Sequence, residues 1–316
     1  EDFSTSQTTR LFLNKDFKTS SIKTVFNYRS IDYTTDAPLE ETISGRLDWL
    51  GRWFDNHIRS EVTYAIANSQ ELRREFVFIQ VPVGQGTHTW RDLNEDGIQD
   101  LSEFFEAINQ DERNYAKIFT PTNEFISAFQ NLFVFRVNID APRSWRDVGG
   151  IKGLLAKFSN NTSWSADTKT TDTDLSTRLF AFARDINEDL LLTERNSLRS
   201  TLFFNRTHSV YGLDFTYSSS ENKQLLTNGF EARNIEEFVS GARINLTKQY
   251  SFNIRTKTRK KRVNSDFLAD RNYLLDEYEV NPQLSWQPNN KVRVAFQYTL
   301  REKQNILTSE SAEKAT

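Results

Sequence analysis

The sequence predicts an all-β fold, an antiparallel transmembrane β-barrel or a large part of one, with a small loop-and-helix insert carrying a calcium loop. Three observations predict it. The first is a two-residue alternation that recurs from end to end and is clearest in Val292-Arg293-Val294-Ala295-Phe296-Gln297-Tyr298-Thr299-Leu300-Arg301. Successive strand side chains point to opposite faces, so this segment has one oily wall and one wet, charged wall. The second is that apolar residues are only 37% of the chain and mean hydropathy is -0.63. A barrel needs apolar residues on only half of its strand positions, and no stretch approaches the roughly 18 apolar residues of a membrane helix. The third is that short polar turns alternate with longer polar connections, as at the two ends of an outer-membrane barrel.

The chain has 316 residues and no Pro/Gly/Ser linker where two cores would part, so residues 1 to 316 read as one barrel region. Alternation appears in Ile22-Thr24-Phe26-Tyr28, with Lys23, Asn27 and Arg29 opposite, and in Ile43-Gly45-Leu47-Trp49, with Ser44, Arg46 and Asp48 opposite. Val62-Tyr64-Ile66 follows. Residues 74 to 83 and 132 to 139 are apolar on both faces, which predicts strands covered on both sides or a looser register. Further strands are expected at Leu154-Ala156-Phe158, Leu179 to Arg184, Leu198 to Phe204, Tyr211 to Tyr217, Ala242 to Leu246, Tyr250 to Ile254 and Tyr278 to Trp286. Thr247-Lys248-Gln249 and Gln287-Pro288-Asn289-Asn290 read as tight turns, and 218 to 236 and 258 to 276 as long polar loops.

Aromatic placement fits a membrane. Tyr278 and Trp286 share one face of their strand and stand about 26 Å apart along it. Strand tilt shortens this to about 20 Å along a barrel axis, near the height of a lipid-facing band with its aromatic girdles. A soluble sandwich also alternates, so a secreted β-sandwich binding or adhesion module is the alternative expectation.

Net charge of -3, from 40 basic and 43 acidic residues, gives no pull toward nucleic acid. Zero cysteines excludes disulfides and thiolate chemistry, and zero methionines predicts that the chain begins inside a longer precursor. His57, His88 and His208 lack zinc-protease spacing and no nucleophile elbow surrounds a serine, so no enzymatic activity is expected. The basic run Arg255-Thr256-Lys257-Thr258-Arg259-Lys260-Lys261-Arg262 offers phosphates of lipopolysaccharide, or an acidic partner, a place to dock.

The sharpest local motif is Asp92-Leu93-Asn94-Glu95-Asp96-Gly97-Ile98-Gln99-Asp100-Leu101-Ser102-Glu103, which satisfies the calcium-loop pattern D-x-[DN]-x-[DN]-G-x5-E. Hard calcium takes six to eight oxygens, and this spacing brings them round one point. The expected ligands are the side chains of Asp92, Asn94, Asp96 and Glu103 with the Ile98 carbonyl, Asp100 acting through water. Leu101, Phe104, Phe105 and Ile108 fall on one helical face, which predicts a strand-loop-helix insert over residues 84 to 125.

The run from Val83-Gly84-Gln85-Gly86 through Trp90 to Phe104, followed by Ile118-Phe119-Thr120-Pro121-Thr122-Asn123, resembles a segment of large exported proteins of the Bacteroidota phylum. That group of outer-membrane β-barrels is related to gliding motility and type 9 protein secretion. The resemblance implies residence in the bacterial outer membrane, contact with its lipid or lipopolysaccharide, other outer-membrane or secretion-complex proteins as partners, and a transport, secretion or assembly role. It names no transported substrate.

Overall fold

The computed structural model describes residues 4–33, 40–179, 190–226, 229–265, 272–307 and 313–315. Its strands are β1 (Ser4–Asp16), β2 (Ser20–Tyr33), β3 (Glu40–Trp53), β4 (Ile58–Gln80), β5 (His88–Trp90), β6 (Phe104–Glu106), β7 (Tyr115–Asp140) and β8 (Phe158–Thr170). They continue as β9 (Leu191–Phe204), β10 (Tyr211–Leu226), β11 (Gly229–Asn245), β12 (Tyr250–Ser265), β13 (Tyr273–Asn289), β14 (Val292–Gln297), β15 (Leu300–Asn305) and β16 (Glu313–Ala315). Two five-residue helices, α1 (Ile151–Leu155) and α2 (Leu175–Leu179), sit in connections.

All these strands belong to one antiparallel sheet, ordered β1-β2-β3-β4-β7-β8-β9-β10-β11-β12-β13-β15-β16, with β14 on β13 and the β5/β6 hairpin beside β7. The sheet curls enough to bring β11 within 8 Å of β7 between Cα atoms, although three strands separate them in the ladder. Among the described residues it does not close into a barrel. β1 at one edge is exposed along its whole length, as is β14 beside the other. The all-β antiparallel expectation is therefore met.

Register converts the sequence alternation into two continuous faces, because directly opposed residues share a face. One row of partners reads Ile22, Trp49, Val62, Phe135, Trp164 and Leu198 across six strands. Another reads Phe158, Phe204, Leu213, Ala242, Ile254 and Pro282. Among the described residues no second sheet lies over this face. Consequently Phe215, Phe238, Ile244, Leu284 and Phe296 stay exposed, and the buried apolar residues are few, with Phe129 and Tyr115 the largest.

Several sequence expectations are corrected. The polar stretches 218 to 236 and 258 to 276 are not long loops: β10 and β11 stay paired up to Leu226 and Gly229, and β12 runs to Ser265 with β13 starting at Tyr273. These strands have 16 or 17 residues where a bilayer needs about 9–11, so their polar ends continue the ladder beyond the apolar band. Leu154 to Ala156 turns as the end of α1 rather than extending. Of the strand expected at Leu179 to Arg184, Leu179 ends α2 and residues 180–184 lie outside those described. Most of β8 escaped the sequence reading because Ser, Asn and Thr outnumber Phe158, Trp164 and Ala166 on its apolar face and blur the alternation. The C-terminal alternating segment is split at Tyr298-Thr299, where it runs beside Pro282. Proline has no N–H to give, so Tyr298 donates to the Pro282 carbonyl and nothing returns.

Candidate functional site

Two surfaces carry the residues that the sequence singles out. The first is the apolar face with its rims. At one rim Tyr217, Phe238, Thr258 and Tyr278 are successive cross-strand partners, and at the other Tyr250 pairs with Trp286. Ring centroids are 4.7 Å apart for Tyr217 and Phe238, and 6.4 Å for Tyr250 and Trp286. The Tyr278-to-Trp286 spacing of β13 encloses Val280 and Leu284, with Phe252 and Ile254 beside them on β12. No helix among the described residues is long and apolar enough to cross a membrane, which says nothing of crossing by strands.

The opposite face is polar. Lys257 lies 3.3 Å from Glu277 and 3.7 Å from Glu279; Arg259 lies 2.6 Å from Glu237 and 3.7 Å from Glu277; Arg301 lies 2.7 Å from Glu279 and 3.6 Å from Glu277. Three cations and three carboxylates are interleaved across β11, β12, β13 and β15. The basic run at 255 to 262 is accordingly no single patch. Arg255, Lys257, Arg259 and Lys261 face this polar side, while Lys260 and Arg262 face the other, with Lys260 between Glu236 and Asp276.

The second surface is the insert between β4 and β7. These two strands form a long hairpin, β4 rising about 75 Å at the usual strand pitch, and Val81 to Asn114 fold beside its far end. Phe104 stacks on Phe78 with centroids 4.1 Å apart and meets Tyr115 edge-on at 5.0 Å, while His88 lies 4.9 Å from Phe78. Burial holds the His88 imidazole below its usual pKa. The predicted exiting helix does not form. Leu101–Glu103 makes a single 3-10 turn, and Phe104–Glu106 runs back as β6 against β5. Stacking of Phe104 on Phe78 and the ladder to β5 outweigh the helical spacing of Leu101, Phe105 and Ile108, whose side chains stay exposed. Residues 115 to 125 of the expected insert belong to the main sheet as the start of β7.

Gly86 shows how tightly this region is built. A Cβ there would lie 2.4 Å from the Tyr115 carbonyl oxygen and 2.7 Å from its backbone nitrogen. The Gly86 N–H donates to Arg113 and the next N–H, from Thr87, to Tyr115. Gly86→Ala is expected to push two backbones apart at about 1–3 kcal/mol. Limited proteolysis should then cut within residues 81 to 114 much faster while the main sheet stays protected; equal cutting rates would refute the close approach as a constraint.

The structure brings Asp92, Asn94, Asp96 and Glu103 into one loop held by its own N–H groups. Asp92 accepts from Gly97 (2.9 Å), Asn94 from Asp96 (3.1 Å) and Asp96 from Ile98 (2.7 Å). Gly97, at φ +73°, supplies the left-handed step. Glu103 is buried and accepts from the Trp90 indole (2.9 Å) and the Leu93 N–H (3.0 Å). The Trp90 bond chiefly holds its carboxyl below the usual range. The Ile98 carbonyl accepts the Asp100 N–H (3.1 Å), so this expected ligand is engaged within the loop. Among the described residues no three His, Asp or Glu side chains group closely enough for a metal ion in this arrangement. One oxygen does fit a cation: Asp92 Oδ1 is buried without a hydrogen-bond partner. The sequence reading missed the role of Trp90, for which nothing in the linear motif gives a signal.

No protein-family model and no curated protein matches the chain.

Proposed function

We propose that this chain is a membrane-embedded part of a non-enzymatic outer-membrane β-barrel serving transport, secretion or outer-membrane assembly, with lipid or lipopolysaccharide against its apolar face. The observation that carries the reading is the uncovered apolar face, continuous across β2 to β14 and rimmed by aromatic residues, set against a charged opposite face. Water does not tolerate so broad an apolar surface, and lipid does. Backbone groups at open edges are forbidden in hydrocarbon, so in this reading β1 and the β14 to β16 side pair with further strands of the same polypeptide or of a partner protein. The alternative, a sandwich module, needs a second sheet over the apolar face. Expression and fractionation decide between them: the chain is expected to stay folded and monodisperse only with detergent or lipid. A stable monodisperse monomer in plain buffer would overturn the membrane reading.

Calcium is the proposed cofactor of the insert, bound by Asp92, Asn94, Asp96 and Glu103, with the Ile98 carbonyl released from Asp100. Asp92 Oδ1 and the all-oxygen donor set support it. Bound metal would supply charge neutralisation and fix the loop; its role is structural. Chelator is expected to accelerate protease cutting around residues 84 to 125, and Asp96→Ala to remove that metal dependence. Cutting that is indifferent to chelator in the unsubstituted chain would refute the site.

A further inference from the structure

One row of the polar face crosses nine strands from β4 to β15. It reads Glu61, Arg136, Ser163, Arg199, Ser218, Glu237, Arg259, Glu277 and Lys303, each the direct partner of the next. Arg136 has Glu61 at 3.7 Å, and Arg259 stands between Glu237 and Glu277. Arg199 differs, with a serine on either side. Its neighbours along β9 are Ser197 and Thr201, and its diagonal neighbours on β8 and β10 are Asn161, Ser165, Thr216 and Ser220. All eight lattice positions around this guanidinium are thus neutral hydroxyl or amide side chains.

The nearest carboxylates on the polar face of β8, β9 and β10 are Asp167 and Asp214, opposite Arg195 and Phe203 respectively. Each is four residues along the strand, about 13 Å away. Glu237, one strand further across, is taken by two hydrogen bonds from Arg259. Arg199 itself is exposed and has no hydrogen bond or ion pair among the described residues. Thr201 and Thr216 bond each other at 2.9 Å, whereas Ser163, Ser165, Ser197, Ser218 and Ser220 have no side-chain partner. Short serines leave the longer arginine standing above a floor of unused O–H donors.

We propose that Arg199, with Ser163 and Ser218 beside it, is a binding site for a small oxyanion, a phosphate or carboxylate group. A guanidinium offers a planar fork of N–H donors matched to such groups, and adjacent hydroxyls donate to the remaining oxygens. The site lies on the polar face, so it stands whichever environment covers the apolar one.

The test uses the full chain, in detergent where detergent is needed, and the arginine reagent phenylglyoxal, with modification followed residue by residue by mass spectrometry. Inorganic phosphate is expected to slow modification of Arg199 severalfold, while chloride at matched ionic strength does not. Arg195, which faces Asp167, is the internal reference and keeps its rate. Sodium acetate distinguishes the sources: slowing by acetate as well extends the site to carboxylates, and slowing by phosphate alone restricts it to tetrahedral anions. The Ser163→Ala, Ser218→Ala double variant changes only water-facing hydroxyls and is expected to lose the protection. An Arg199 rate unaffected by both anions, a slowing shared equally by Arg195, or full protection in the double variant would each overturn the proposal.

Discussion

Replacing Ile254 with arginine is expected to prevent this chain from inserting stably into lipid vesicles, while Asn253→Arg, one residue earlier, leaves insertion nearly intact. Ile254 is midway between the two aromatic rims, with Ala242 and Pro282 as its direct partners. A lipid-facing arginine at the midplane of a membrane barrel costs about 2–4 kcal/mol, and the penalty fades toward the interfaces. Asn253 points the other way, toward a water-accessible hollow of about 400 Å³ that also includes Arg243, Arg255, Glu279 and Asn281. A charge added there meets water and carboxylates. The measurement is the urea dependence of folding into vesicles for both variants. Equal losses, or none, would remove the apolar face as the lipid-contacting surface.

The second large effect is expected from Glu277→Ala. This side chain is 13% exposed and touches Lys257, Arg259 and Arg301. Removing it leaves three cations to Glu237 and Glu279, an excess of positive charge inside a partly desolvated cluster. Breaking a buried pair costs about 3–5 kcal/mol, but Arg259 and Arg301 are 35% and 50% exposed, so solvent reduces the loss to about 1–3 kcal/mol. Denaturant midpoints should show that loss and should recover part of it when Lys257→Ala is added, since the second change removes one unpaired cation. Additive losses in the double variant would mean that the network is a set of independent surface contacts. High salt is expected to narrow the difference between Glu277→Ala and the unsubstituted chain.

Strand identity was legible in most segments with one markedly apolar face. Ile22 to Tyr28, Tyr211 to Tyr217 and Tyr278 to Trp286 all lie in strands, in the alternation that the sequence shows. It was illegible where both faces meet water. Ser218 to Gln224 and Lys260 to Ser265 carry no periodic signal, yet they continue their ladders, because cross-strand backbone hydrogen bonds ask nothing of side-chain polarity. The calcium motif was legible as a turn: Gly97 takes the left-handed step and the Asp and Asn side chains accept from the loop. What followed it was not legible, since Phe104 meets its stacking partner Phe78 only when a strand 26 residues earlier has been laid beside it.

The sequence by itself determined the division of each strand into an oily and a polar side, because side-chain direction in an extended chain is a local property with a period of two. It also determined the turn at Thr247 to Gln249 and the oxygen-rich loop, whose residues act on neighbours a few positions away, whereas the turn expected at Gln287 to Asn290 falls at 290–291. Only the tertiary structure decided register, and register placed Ile254 midway between aromatic rims, gathered Lys257, Arg259, Arg301 and three glutamates into one network, and left Arg199 among serines. A one-residue slip would move every one of these side chains to the opposite face. Burial of the apolar face and the lengths of the connections fix that choice among registers that backbone hydrogen bonding accepts equally.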